Sequence, residues 1–298
     1  MSGRAARTLA QSKINLALRV FGLRPDGYHS IETVLLRLEL GDDVEVRTTL
    51  GQKSIRCFEM RDRRPEENLG YRAAELFAKE TGWPKGFEIE IVKNVPIGGG
   101  LGGGSADAAA VLRILNTLSS NPVPPVRLLE MAGQLGSDIP FLASDAVMAM
   151  SWGRGEKILE LKRLPPREVE LFVPPFGIDT TEAYALLDEV RGEYVGAGPE
   201  LTTEMFRDWE SAARHSANDF EAVIRPRRPE IDALLANADR HGSFYRMTGS
   251  GSTVFRISGL EAGLANAEDD RHPLTIPNGT QRIFTRTAWS VVPVELLD

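Results

Sequence analysis

Apolar and polar residues alternate in Ile14 to Val20, Ile31 to Leu40 and Val44 to Arg47, the period of strands with one buried face. The turn-rich segment Gly22 to Ser30 separates the first two, so the chain opens as β structure. Helical spacing follows over Asn68 to Thr81, where Ala73, Leu76 and Phe77 share a face and Gly82-Trp83-Pro84 ends the run. Phe87 to Val95 reads as a strand. Ser105 to Leu118 reads as a helix, with Ala108, Val111, Leu112 and Leu115 at i, i+3, i+4 and i+7. A helix is predicted over Val126 to Leu135, a loop over Gly136 to Phe141 and a strand over Ala146 to Trp152. The polar, proline-bearing Lys162 to Arg167 is the expected domain junction. Beyond it the pattern restarts at Val169 with a strand, helical stretches, and the loop Met247 to Thr253 entering a strand at Val254 to Ile257.

Between the fourth strand and its helix lies Asn94-Val95-Pro96-Ile97-Gly98-Gly99-Gly100-Leu101-Gly102-Gly103-Gly104-Ser105. Glycine admits positive φ and lets the main chain approach a bulky anion, while a helix start adds free N–H donors and about half a positive charge. Such a cradle suits the phosphates of a nucleotide triphosphate. Ser105 can cap the helix or turn its hydroxyl to a phosphate or a magnesium ion. Two familiar phosphate loops do not fit. The P-loop requires a lysine before its Ser or Thr, and here Ser105 follows Gly104 directly. Gly98-x-Gly100-x-x-Gly103 satisfies the dinucleotide fingerprint. However, the second strand and acidic residue expected about twenty residues later are replaced by the loop Thr117 to Pro125.

At 298 residues, the chain has room for two domains of ordinary size; 42% hydrophobic and 26% charged residues are those of a globular protein. A net charge of −7 without a basic stripe argues against a nucleic-acid partner, so an anionic substrate must be held by local donors. Cys57 is the only cysteine, which excludes an internal disulfide and a thiolate metal cluster and points to the cytoplasm. Residues 1–12 lack the apolar core of a signal peptide, and no stretch approaches the roughly twenty apolar residues of a membrane span. No membrane partner is expected.

Five segments carry the chemistry: Ser12-Lys13-Ile14-Asn15-Leu16, Arg24-Pro25-Asp26-Gly27-Tyr28-His29, the glycine run with Ser105, Leu135-Gly136-Ser137-Asp138-Ile139-Pro140-Phe141, and Gly249-Ser250-Gly251-Ser252-Thr253. In this order and spacing the chain resembles the GHMP kinases from Lys13 to about Ile257. Within them it is most similar to the branch that phosphorylates the 2-hydroxyl of a cytidine diphosphate derivative of methylerythritol, on the non-mevalonate route to isoprenoid precursors. The resemblance implies an α+β, two-lobed GHMP kinase fold with the active site in the cleft. The first lobe, residues 1–163, would be ribosomal protein S5 domain 2-like and the second, residues 164–298, ferredoxin-like, with a final strand free to return to the first. ATP and Mg2+ are the implied cofactors, a small molecule the implied partner, and a monomer or homodimer the implied state.

Residue by residue, the resemblance makes Asp138 the catalytic carboxylate that accepts the hydroxyl proton, an assignment consistent with its apolar neighbours Ile139, Pro140 and Phe141. Read alone, Asp138 is equally a helix N-cap. Lys13 is implied to lie against Asp138, a contact the fold must make. Pro96, Ile97, Gly98, Gly99, Gly100, Leu101, Gly102, Gly103, Gly104 and Ser105 would hold ATP phosphates, with Asn68 and Lys93 near adenine and ribose and Ser105 toward the metal. Asn15 would meet substrate near the reacting hydroxyl, Tyr28 and His29 its cytidine end, and Gly249, Ser250, Gly251, Ser252 and Thr253 the phosphates or substrate. Two departures stand out. Gln11-Ser12 replaces the usual Pro-Ala, and Ala106 removes a second hydroxyl after Ser105. Alternative readings are a kinase for another small alcohol and a silent nucleotide or metabolite sensor. The last forty residues, including Glu268 to Pro273, match no functional motif and read as solvated surface and closing strands.

Overall fold

Two long strands organise the first half of the chain in the computed structural model, which is described here for residues 3–191, 200–238, 244–258 and 274–298. β1 (Ala5–Leu23) and β2 (His29–Thr49) pair antiparallel from Ala5 opposite Arg47 to Leu23 opposite His29, with register shifts after Gln11, Asn15 and Val20. The three strands expected before residue 50 are therefore two. Gly41-Asp42-Asp43 has the composition of a turn, but it stays within β2 because the buried Asp42 carboxylate accepts the amides of Asn94 and Val95 at 2.6 and 2.8 Å.

The remaining elements of this half are β3 (Lys53–Cys57), α1 (Leu69–Thr81), β4 (Gly86–Val92), α2 (Gly103–Leu118), α3 (Pro125–Leu135), α4 (Ile139–Ala143), β5 (Met148–Gly153) and β6 (Lys157–Glu160). β3, a short polar strand with no periodic signal, pairs parallel with β4. α4 occupies part of the expected loop. Pro140 reads as a breaker, yet in the first helical turn its missing N–H costs nothing. α2 starts two residues earlier than its apolar spacing indicates, because Gly102 takes the N-cap position in a left-handed conformation.

The second half contributes β7 (Glu168–Val173), α5 (Thr180–Arg191), α6 (Trp209–His215), α7 (Glu221–Ile224), α8 (Pro229–Leu235), β8 (Phe244–Met247), β9 (Val254–Ile257) and β10 (Gln281–Arg286), and the chain closes with β11 (Glu295–Leu297). The first sheet runs β11-β1-β2-β4-β3, with β5 on β2 and β6 on β5; the second runs β10-β7-β9-β8. Helices α1 to α4 cover the first sheet around Phe77, Phe87, Val111, Leu115 and Phe141, all fully buried. A second core joins the two sheets, packing Ile14, Leu16 and Leu36 with Leu171, Phe255 and Ile257. Each such side chain stabilises the fold by about 2 kcal/mol. Among the described residues no helix is long and apolar enough to cross a membrane. Glu268 to Pro273 lie outside the described residues.

Candidate active site

The chain leaves β4 through Asn94 and enters α2 through the glycine run, where Gly98, Gly100 and Gly102 have φ of +77, +79 and +72°. Conformation is not the whole requirement. A Cβ on Gly100 would stand 2.3 Å from the Thr248 carbonyl oxygen, one on Gly99 2.6 Å from Thr253 Oγ1, and one on Gly102 3.0 Å from Lys13 Cε. The run is thus pressed between Lys13 and the loop before β9, with its free amides at the start of α2. Pro96 is partly exposed and Ile97 exposed, Gly103 and Gly104 begin the helix, and the buried Leu101 accepts the Lys13 amide at 3.0 Å. Ser105 is the third residue of α2; it makes no cap bond and lines the adjoining cavity.

Lys13 is buried at 3% exposure, and its Nζ lies 3.3 Å from Asp138 Oδ2. It also donates to Asn15 Oδ1 at 2.8 Å and to the Gly100 carbonyl at 3.0 Å, so one ammonium ties the carboxylate to the glycine run. Asp138 sits at the N-cap position of α4 but makes no cap hydrogen bond. Its carboxylate turns to Lys13 instead, with the side chain 30% exposed to the cavity. Asn15 is held from several sides: Oδ1 also accepts from the Gly249 amide at 2.9 Å, and Nδ2 donates to Thr33 Oγ1 at 2.8 Å. Although it borders the cavity, its hydrogen bonds are largely internal.

The loop before β9 divides in two. Gly249 (φ +58°) and Ser250 reach the cavity, and Ser250 Oγ is 3.0 Å from Thr180 Oγ1. Gly251, Ser252 and Thr253 do not line the cavity, contrary to the expectation that they approach phosphates or substrate. Ser252 and Thr253 are fully buried, the Ser252 hydroxyl bonds the Phe176 carbonyl, and the Thr253 amide donates to the Gly99 carbonyl at 3.2 Å. Their work is to hold the loop against the glycine run. Thr248, absent from the expected set, donates from Oγ1 toward Asn15 Oδ1 and the Gly100 carbonyl at 3.1 and 3.2 Å.

The cavity, about 730 Å³, runs from Lys13, Asp138 and Ser105 to Tyr28 and His29. At its far end the His29 ring stacks on Tyr184 with centroids 4.8 Å apart, and His29 Nε2 lies 2.9 Å from Asp188 Oδ1. Tyr184 packs edge-on against Phe220; burial, reinforced by the Asp138 charge, pushes its hydroxyl up to about 12, so it is a neutral wall. Tyr28 is 56% exposed, with the Arg154 guanidinium 5.2 Å over its ring. An aromatic-walled end with polar edges accepts a flat heterocycle.

A smaller cavity of about 310 Å³ lies between β3 and the start of α1, lined by Ile55, Cys57, Phe58, Met60 and Asn68 with four arginines around them. Asn68 caps α1, its Oδ1 accepting from Gly70 N at 2.8 Å. Lys93 is enclosed between Asp42 and Asp107, bonding Asp42 Oδ2 and lying 2.7 Å from Asp107 Oδ2. Burial opposes the ammonium, but the two carboxylates outweigh it and hold the pKa of Lys93 above its ordinary value. Burial raises the Asp107 carboxyl to about 7 despite Lys93, and its Oδ1 has no partner among the described residues. Lys93 thus braces the floor of the glycine run, and two carboxylates occupy the ammonium expected near the ribose.

The profile of the GHMP kinase N-terminal domain matches residues 68–148, and that of the C-terminal domain matches residues 200–271. The 4-diphosphocytidyl-2-C-methyl-D-erythritol kinase of Pelotomaculum thermopropionicum is 40% identical over 264 residues, 87% of this chain and 90% of that protein. The protein of the same name from Bacillus pumilus is 35% identical over 256 residues, 85% of this chain and 88% of that protein. The chain belongs to the GHMP kinases. A crystal structure of 4-(cytidine 5'-diphospho)-2C-methyl-D-erythritol kinase matches with a TM-score of 0.69 at 33% identity, over 84% of this chain and 89% of that one. A homoserine kinase from Cytophaga hutchinsonii shares the fold, with a TM-score of 0.65 at 16% identity.

Within this GHMP kinase fold, Arg154, Thr180, Tyr184 and Asp188 join the cavity without having been singled out in the sequence. Arg154 follows β5 and the other three lie on α5, where each reads as an ordinary surface residue. A usable signal was the spacing of Thr180, Tyr184 and Asp188, four residues apart and hence on one face of a helix. An open depression of about 1000 Å³ beside Lys162 to Arg167, Arg207 to Glu210 and Trp289 contains none of the residues expected at the kinase site.

Proposed function

We propose that the chain transfers the γ-phosphoryl group of ATP to the 2-hydroxyl of 4-diphosphocytidyl-2-C-methyl-D-erythritol. The observation that carries this reading is the 3.3 Å approach of Lys13 to Asp138 at one end of a cavity whose other end is walled by Tyr28, His29 and Tyr184. Relatives that span nearly the whole chain bear the name of that activity.

Asp138 accepts the proton of the substrate 2-hydroxyl as the hydroxyl oxygen bonds to the γ-phosphorus of ATP and the bond from that phosphorus to the β,γ-bridging oxygen breaks, releasing ADP. The Lys13 ammonium holds that carboxylate in place and offsets negative charge at the transfer point. Amides of the glycine run and the start of α2 hold the phosphates, and the aromatic end fixes the cytosine ring so that the hydroxyl meets Asp138. The residues present fit the nucleotide: Gly98, Gly100 and Gly102 take the positive φ that lets main-chain amides face an anion at the start of α2, and the cavity between β3 and α1 takes the base beyond it. Magnesium, when bound, offsets phosphate charge, and the oxygen donor this chain offers it is the Ser105 hydroxyl. We read residues 1–163 and 164–298 as the two lobes around this site, with the final strand, β11, returning to the first.

A coupled assay of ADP release with and without the cytidyl alcohol tests the reading. Release that depends on this alcohol is expected; ATP binding with no release when it is added overturns the proposal.

A further inference from the structure

Arg37 is one of the largest fully buried side chains, 1% exposed at the centre of β2 directly opposite Lys13 in the strand register. Among the described residues no carboxylate forms an ion pair with it. Its hydrogen bonds go to main-chain carbonyls instead: Nε donates to Ala146 at 2.8 Å, and Nη2 donates to Phe141, Leu142 and Ser144 at 2.8, 3.0 and 2.9 Å. Its guanidinium carbon stands 4.9 Å over the Phe141 ring.

These acceptors are the C-terminal end of α4 and the turn after it. A five-residue helix does not hold itself together in water; the Ser144 amide reaches the Pro140 and Phe141 carbonyls, and those beyond them lack an intrahelical donor. All five residues of α4 are buried, so solvent cannot satisfy those groups. A cation at that end satisfies several at once and matches the negative pole of the helix. Burial, with Arg113 nearby, lowers the Arg37 guanidinium to about 9, so it keeps its charge at neutral pH. At the other end of this short helix stands Asp138, 3.3 Å from Lys13 on the neighbouring strand.

We propose that Arg37 is a positioning residue for phosphoryl transfer: by clamping the C-terminal carbonyls of α4 to β2, it fixes where α4 begins and therefore where the Asp138 carboxylate meets Lys13 and the substrate hydroxyl. The inference rests on the catalytic reading of Asp138. Arg37 touches neither substrate nor nucleotide; it acts through the backbone of α4. Lysine keeps the charge but loses the planar fork that reaches Ala146 from Nε and the α4 carbonyls from Nη2, and methionine keeps much of the volume with no donor.

The test compares Arg37→Lys and Arg37→Met with wild type and Asp138→Asn, measuring kcat, KM for ATP, KM for the cytidyl alcohol and thermal unfolding. The expected result for R37M is a cooperative unfolding transition, both KM values within about twofold of wild type, and kcat lowered about a hundredfold, the effect of a catalytic group displaced by an ångström. R37K is expected in between. A contribution to folding alone would lower the unfolding temperature and leave kcat per folded molecule unchanged, and that result overturns the proposal. If R37M does not fold, R37K decides by the same kcat criterion; failure of both to fold also counts against a positioning role. A wild-type rate in D138N would remove the catalytic reading itself, whereas an inactive D138N beside fully active R37K and R37M removes this inference alone.

Discussion

Replacing Gly100 with alanine tests how the cradle is built, and Gly98→Ala is its internal control. Both glycines have left-handed φ, +79 and +77°, so each substitution costs about 1 kcal/mol in backbone strain. Their surroundings differ. A Cβ at Gly98 meets nothing within 4 Å among the described residues, whereas one at Gly100 falls 2.3 Å from the Thr248 carbonyl oxygen and 3.0 Å from that of Gly251. Neither obstacle is a flexible side-chain end, so the run must move by about 1 Å away from the loop before β9. That displacement carries the Gly100 carbonyl away from Lys13 Nζ and Thr248 Oγ1. Overpacking of this kind costs a further 1 to 3 kcal/mol, or roughly 2 to 12 °C in melting temperature beyond the G98A value. With the ammonium and the phosphate site displaced together, kcat/KM for ATP is expected to fall about a hundredfold relative to G98A. Calorimetric melting and steady-state kinetics on the two variants provide the assay. Equal melting temperatures and equal kcat/KM would refute the claim that contact with the 248–251 loop, rather than backbone conformation alone, demands glycine here.

Lys93→Met leaves the buried carboxylates of Asp42 and Asp107 facing each other without their cation; a loss of about 3 to 5 kcal/mol in denaturant-unfolding stability is expected, and a loss below 1 kcal/mol would show that the pair is not needed. The Asp107 carboxyl is raised from 3.8 to about 7 in the folded protein, so the native state holds a proton that the unfolded chain has already lost; stability therefore falls as pH rises from about 4 to about 7, and Asp107→Asn should flatten that slope in urea titrations. Asp188→Ala frees His29 Nε2 at the aromatic end of the cavity; KM for the cytidyl alcohol should rise about tenfold with KM for ATP unchanged, and equal rises in both would place His29 elsewhere in the reaction.

Where the sequence was legible, the physics was local. Glycines at 98, 100 and 102 announced a left-handed backbone before a helix, and the apolar spacing of Ala108 to Leu115 announced the helix. The approach of Lys13 to Asp138 was not local: it depends on β1, the glycine run and α4 meeting, and only the resemblance to a known family supplied it in advance. Tyr184 and Asp188 offered only a shared helix face at four-residue spacing. Their significance appears only when α5 packs beside Tyr28 and His29. Polar residues were the hardest to place: Asp42, in the gap between two expected strands, is a buried acceptor for two amides within β2, and Ser252 and Thr253, expected near phosphates or substrate, are buried hydroxyls. Arg37 carried no sequence signal at all, because a lone arginine in an apolar strand shows its purpose only once the carbonyls of α4 surround it.

The most direct test of the account is single-turnover phosphoryl transfer from ATP to the 2-hydroxyl of 4-diphosphocytidyl-2-C-methyl-D-erythritol by wild type and Asp138→Asn, with ATP affinity measured on both. The account predicts transfer by the wild type, a loss of about a thousandfold in D138N, and ATP affinity within about twofold. Transfer by D138N at the wild-type rate would contradict it.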